Sequence, residues 1–153
     1  MSALFLLGLT LSPTVPAASA ATIRIERAMV DADPAPTKDS ASGGYARLTS
    51  MGRDDKLVAV RCTCAKDVDL HRIVRVPKTD MLGKQTLDLP AGKAVEVKPG
   101  SDWHFWVGDI QQPLVAGQKV QLVLTFEKAG EVPVDFAIEA KTKDAWAAFD
   151  APR

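Results

Sequence analysis

The feature that most constrains this chain is an alternation of period two. Val120, Leu122, Leu124 and Phe126, then Val132, Val134, Phe136 and Ile138, are apolar at every second position, with mostly polar residues between. Successive strand residues point to opposite faces, so such a run buries one face and wets the other. Lys128-Ala129-Gly130 separates the two runs, which predicts a hairpin. Further strands are predicted over 22–28, 43–49, 56–62, 67–75, 94–97 and 103–107. Turn signals divide them at Asp31 to Pro36, Met51 to Asp55, Pro90-Ala91-Gly92, Pro99-Gly100 and Gln112-Pro113. No long helical stripe competes with this pattern. Many short strands with frequent turns predict an all-β, single-domain Greek-key β-sandwich, and 153 residues suit one core.

Charge narrows the partners. Lys+Arg and Asp+Glu balance at 19 each. A nucleic-acid binder needs a basic surplus to replace phosphate counterions, so that class is set aside. No polybasic segment marks a membrane-surface protein either. Small ions or other proteins are the expected partners.

The first twenty residues differ from the rest. Ala3 to Leu11 is apolar, Pro13 and Pro16 follow, and Ala18-Ser19-Ala20 fits the small-residue rule of signal peptidase. The run is too short for stable membrane insertion. We read residues 1–20 as a cleaved signal peptide that lacks the usual Lys or Arg before its apolar run; the alternative is a buried N-terminal strand. Residues 21–140 then form the sandwich and 141–153 a tail. Trp146 and Phe149, three apart in that tail, suit either a short docked helix or a frayed terminus.

Candidate chemistry centres on two histidines, the only ones in the chain. His104 lies in Trp103-His104-Phe105-Trp106-Val107, where His104 and Trp106 share a face. His71 ends Val68-Asp69-Leu70-His71, where Val68 and Leu70 point inward and His71 outward or towards a rim. Met81 falls in the loop between them. Imidazole with thioether is a soft, mostly neutral set that suits Cu(I) better than magnesium, calcium or zinc. On residue types alone, two separate surface histidines and a core methionine are the commoner explanation of the pattern.

The stretch Ala41–Ala140 resembles the periplasmic copper chaperones of the PCu(A)C family. The segments that carry the likeness are Gly44-Tyr45-Ala46-Arg47-Leu48-Thr49, Asp55-Lys56-Leu57-Val58-Ala59-Val60, Val68-Asp69-Leu70-His71, Leu89-Pro90-Ala91-Gly92, Val95-Glu96-Val97-Lys98-Pro99-Gly100, His104, and Pro113-Leu114-Val115-Ala116-Gly117 running into Leu122-Val123-Leu124-Thr125-Phe126-Glu127. The resemblance implies a cupredoxin-like sandwich in the periplasm that carries copper towards an acceptor such as the dinuclear centre of cytochrome c oxidase. The family site is His, ten residues, Met, twenty-one residues, His, one residue, Met. His71 and His104 keep its His-to-His interval, with thirty-two residues between them. Met81 comes one residue early and Leu82 holds the strict position; counting back from Leu89-Pro90-Ala91-Gly92 restores Met81, with one extra residue in Ser101-Asp102-Trp103. Trp106 stands where the second methionine belongs.

Indole nitrogen is only a hydrogen donor, so Trp106 cannot ligate a metal, though its ring face attracts cations. His71, Met81 and His104 under a Trp106 cap would hold Cu(I) and disfavour Cu(II). The alternative is a decayed site in which Trp106 only packs.

Cys62 and Cys64 leave three readings open: buried small hydrophobes, a disulfide, or thiolate ligands to Cu(I). In an extended strand their Cβ atoms lie too far apart for an unstrained bridge, but a turn at Cys64 to Lys66 could bring them together. The pairs Asp54-Asp55 and Asp67/Asp69 read as carboxylates on solvated turns. Met29 and Met51 occupy no motif position. No Ser-His-Asp set, phosphate-cradling glycine loop or zinc-type cysteine spacing is visible. The expected function is therefore a non-enzymatic copper carrier. A thiol–disulfide oxidoreductase using Cys62 and Cys64 and a metal-free adaptor are the competing readings.

Overall fold

The structure, a computed structural model, describes residues 22–152; the predicted signal peptide and its cleavage point lie outside the described residues. Ten strands follow in order: β1 (Thr22–Asp31), β2 (Ala41–Met51), β3 (Asp55–Arg61), β4 (Ala65–Val74), β5 (Asp80–Leu82), β6 (Leu87–Leu89), β7 (Ala94–Val97), β8 (Trp103–Ile110), β9 (Lys119–Phe126) and β10 (Gly130–Glu139). Among the described residues one helix, α1 (Thr142–Asp150), follows β10. The fold is all-β, as the alternation demanded.

Hydrogen bonding runs in one continuous path, β5-β4-β8-β2-β1-β10-β9-β3-β6, with β7 also on β2. The β9–β10 hairpin forms where predicted, with Val132 opposite Leu124 and Phe136 opposite Val120. The path folds over on itself, because Phe105 of β8 meets Phe136 of β10 edge-to-face at 5.8 Å although two strands separate them in the order. Leu48, Leu70, Phe105, Leu122, Leu124, Phe126 and Phe136 fill the space between the two layers. Truncating a buried Phe of this kind costs about 3–5 kcal/mol.

β1 joins the layers. It pairs antiparallel with β2, breaks register between Glu26 and Met29, and then runs parallel to β10 over Met29–Asp31. Arg27 occupies the break with φ 56, the left-handed conformation that one type of β-bulge uses. Through this bulge one strand serves both layers.

The tail takes the helical alternative. Trp146 is buried, and the Arg27 guanidinium sits over its ring at 5.4 Å and over Phe149 at 5.2 Å. Asp31 accepts from the Thr142 hydroxyl at 2.6 Å, tying the first turn of α1 to the end of β1.

Candidate metal centre

The antiparallel β4–β8 pair places the two histidines. Its register sets His71 against His104, Asp69 against Trp106 and Asp67 against Gly108. The opposite face of the same pair carries Leu70, Phe105 and Val107 into the core. The alternation that buries Leu70 therefore puts Asp67, Asp69 and His71 together on the outer face.

The imidazole rings of His71 and His104 lie 5.4 Å apart between centroids, inclined by 60°. Trp106 stacks on His71 at 5.0 Å with planes 2° apart, and its indole N–H donates to Asp67 Oδ2 at 3.0 Å. That pose needs Gly108, because a Cβ there would strike the indole nitrogen. Trp106 thus covers His71, as a cap would, and is oriented by a carboxylate from the neighbouring strand.

β5 adds the methionine. Met81 pairs with Ile73 and Leu82 with Arg72. His71 and Ile73 share a face of β4, so Met81 stands on the histidine face and Leu82 on the other. The structure therefore brings Met81, not Leu82, to the side of His71 and His104. Its side chain is exposed.

The electrostatics favour a neutral His104. Burial, then the neighbouring His71, pushes the His104 pKa below the usual histidine value, with Asp69 opposing. His71 is 13% exposed, and its Nε2 lies 2.6 Å from Asp69 Oδ1. Asp69 is thereby the ion-pair partner of His71, whose Nδ1 is buried without a hydrogen-bond partner. Among the described residues no three His, Cys, Asp or Glu side chains converge as a metal-binding group. The arrangement offers two imidazoles, one of them paired with a carboxylate, and a thioether on the same face.

Two expectations need correction. Asp67 and Asp69 are not carboxylates on a solvated turn: they lie inside β4, and the Asp69 side chain is only 17% exposed. Asp55 is likewise buried, accepting backbone N–H bonds from Lys56, Lys128 and Ala129 at 2.8–2.9 Å. Cys62 and Cys64 form a disulfide, so they present no thiolate for a metal. A tight turn closes it, with Cys62 bridged to Ala65, and Cys64 is fully buried. Met29 is buried in the core side of β1 and Met51 lies at the end of β2, both away from the pattern.

The relatives share this fold. The family model "LpqE-like", described as "Putative lipoprotein LpqE-like", matches residues 23–138. Among solved structures, the copper-bound PCuAC domain from PmoF2 is 26% identical, with 80% of this chain and 97% of that one covered at a TM-score of 0.61. The apo PCuAC domain from PmoF1 is also 26% identical, covering 80% and 98% at a TM-score of 0.66. Apo-DR1885 from Deinococcus radiodurans, 19% identical, covers 94% and 96% at a TM-score of 0.57 and shares the fold. No curated protein matches the chain. A family match across the whole sandwich, joined to solved PCuAC domains of the same architecture, places this chain in the LpqE-like family, with a domain of PCuAC type.

Proposed function

We propose that this protein is an exported copper carrier that binds one copper ion between His71 and His104 and passes it to an acceptor protein. The observation that carries the reading is the direct pairing of the two imidazoles across β4 and β8. Met81, on the same face, supplies a soft thioether, and Trp106 shields the ion from water. Two imidazoles and a thioether suit Cu(I). The copper-bound state of the PmoF2 domain supports the same cargo.

A carrier must release what it binds, and this site is placed for that. It lies on an outer face, where Met81 also exposes apolar surface. An acceptor docking there can exchange ligands with the ion one at a time. The dinuclear copper centre of cytochrome c oxidase is the acceptor the family resemblance suggests. No helix among the described residues is long and apolar enough to cross a membrane, and the apolar run of residues 3–11 supports export to the periplasm.

Fluorescence titration of reduced protein with Cu(I) tests the reading. Trp106 should quench with an endpoint at one equivalent, and protein carrying Trp106→Phe should lose that quenching but keep the stoichiometry. Absence of both quenching and binding in the wild type would overturn it.

The Cys62–Cys64 disulfide favours a second reading, thiol–disulfide exchange. It predicts insulin reduction that disappears in Cys64→Ser. Against it, the pair does not open a helix, whose N-terminus usually lowers a thiol pKa.

A further inference from the structure

We propose that Asp69 is a positioning residue of this site: it holds His71 by Nε2 and leaves Nδ1 as the nitrogen that takes copper. The inference rests on the copper reading above and assigns the atom of His71 that carries it.

The contact between the two side chains is the first argument. Asp69 and His71 stand two apart on β4, so they share its outer face. Asp69 Oδ1 lies 2.6 Å from His71 Nε2, and the two side chains are only 17% and 13% exposed. An ionised carboxylate only accepts hydrogen, and so does a bare imidazole nitrogen. Two such acceptors would repel at this distance, so Nε2 is the nitrogen that carries the proton. In the neutral ring the lone pair is then left on Nδ1.

The second argument is the space on the Nε2 side. The chain leaves β5 at Gly83, where a Cβ would lie 3.1 Å from His71 Nε2 and 3.5 Å from Asp69 Oδ2. An ion bound at Nε2 would have to displace both the carboxylate and this segment. Protein closes that side of the ring.

Third, His71 Nδ1 is buried and has no hydrogen-bond partner. A buried acceptor left unsatisfied is costly, and a cation bound there removes the cost. Trp106 lies flat on the same ring, with centroids 5.0 Å and planes 2° apart. A ring flip that exchanged the two nitrogens would have to push the indole aside. Asp69 thus fixes the tautomer and Trp106 the orientation. Carboxylates commonly play this part for metal-bound histidines, and their removal weakens metal binding without removing a ligand.

The test is long-range proton–nitrogen NMR of the histidine rings, on apo protein and after one equivalent of Cu(I). Wild type, Asp69→Asn and Asp69→Ala are compared, with Cu(I) affinity measured by chelator competition. Apo wild type should show His71 protonated at Nε2, and Cu(I) should move the Nδ1 resonance while Nε2 keeps its proton. Asp69→Ala should mix the two tautomers and weaken Cu(I) binding about tenfold or more. Asp69→Asn, whose amide oxygen still accepts from the Nε2 proton, should keep the tautomer and lose less affinity. The wild-type spectra decide the question even if Asp69→Ala does not fold. If Cu(I) removes the Nε2 proton instead, copper binds at Nε2; the proposal falls and the copper reading stands. An unchanged tautomer in folded Asp69→Ala would equally overturn it. If wild type takes up no Cu(I), the copper reading falls and this proposal with it.

Discussion

His71 and His104 stand directly opposite each other across β4 and β8, their ring centroids 5.4 Å apart. The pairing is a consequence of register. Because Leu70 faces Phe105 on the buried side, sliding either strand by one residue would take the histidines off the outer face and push polar residues into the core. The core therefore holds the two histidines in alignment.

Trp106 fixes the character of this site. Replacing it with methionine restores a thioether where the family pattern has one. Trp106→Met should tighten Cu(I) binding about tenfold, as expected for an added soft ligand. Competition against a chromophoric Cu(I) chelator measures it. Unchanged affinity would place residue 106 out of reach of the ion.

Copper retention should resist mild acid. His104 titrates below the ordinary histidine value because burial and His71 disfavour its charged form. Its imidazole then stays neutral, and able to ligate, somewhat below about pH 6.5. An NMR titration of apo protein should give a His104 midpoint below that value. The linkage has the matching sign: between the two pKa values the unfolded chain binds more protons, so the stability contribution is present above about pH 6.5 and is lost as pH falls through the folded pKa. His104→Gln should flatten that limb of the stability curve.

Asp55 makes a separate acid-sensitive contribution. Burial alone would raise its pKa, yet the backbone N–H groups of Lys128, Lys56 and Ala129 outweigh it and hold the carboxyl below its usual range. Stability from this group is therefore present above the unfolded carboxylate value of about 3.9 and lost as pH falls through the lower folded value. Asp55→Ala strands these donors and should cost about 2–3 kcal/mol at pH 7, read by urea unfolding.

Arg27 should hold α1 through its stacking more than through its ion pair. Its partner Asp150 is 63% exposed, although the contact is 2.7 Å, and exposed pairs contribute little. Asp150→Asn should cost less than about 0.5 kcal/mol, whereas Arg27→Ala, which uncovers Trp146 and Phe149, should cost about 1–2 kcal/mol. Thermal unfolding followed by Trp146 fluorescence separates the two.

Much of this was legible in the sequence, and the gaps have physical causes. Strict alternation identified the β9–β10 hairpin because both strands are long and bury one face only. β5 and β6 span three residues each, too few to display a period. β1 runs on to Asp31 because the Arg27 bulge interrupts the alternation without ending the strand. Met81 was placed by counting residues, and the pairing of β5 with β4 gives the reason it shares the histidine face. As an acidic pair Asp67 and Asp69 suggest a solvated turn, yet Asp67, Asp69 and His71 continue one period-two row. The Cys62–Cys64 bridge is not legible in the sequence because an extended strand disfavours it, whereas the chain turns between Cys62 and Ala65.

Metal analysis after Cu(I) loading and desalting tests the central claim most directly. Wild type should retain one equivalent of copper, His71→Ala and His104→Ala should each bind about 100-fold more weakly or worse, and the double variant should retain none. If the double variant retains one equivalent like the wild type, the paired histidines are not the site.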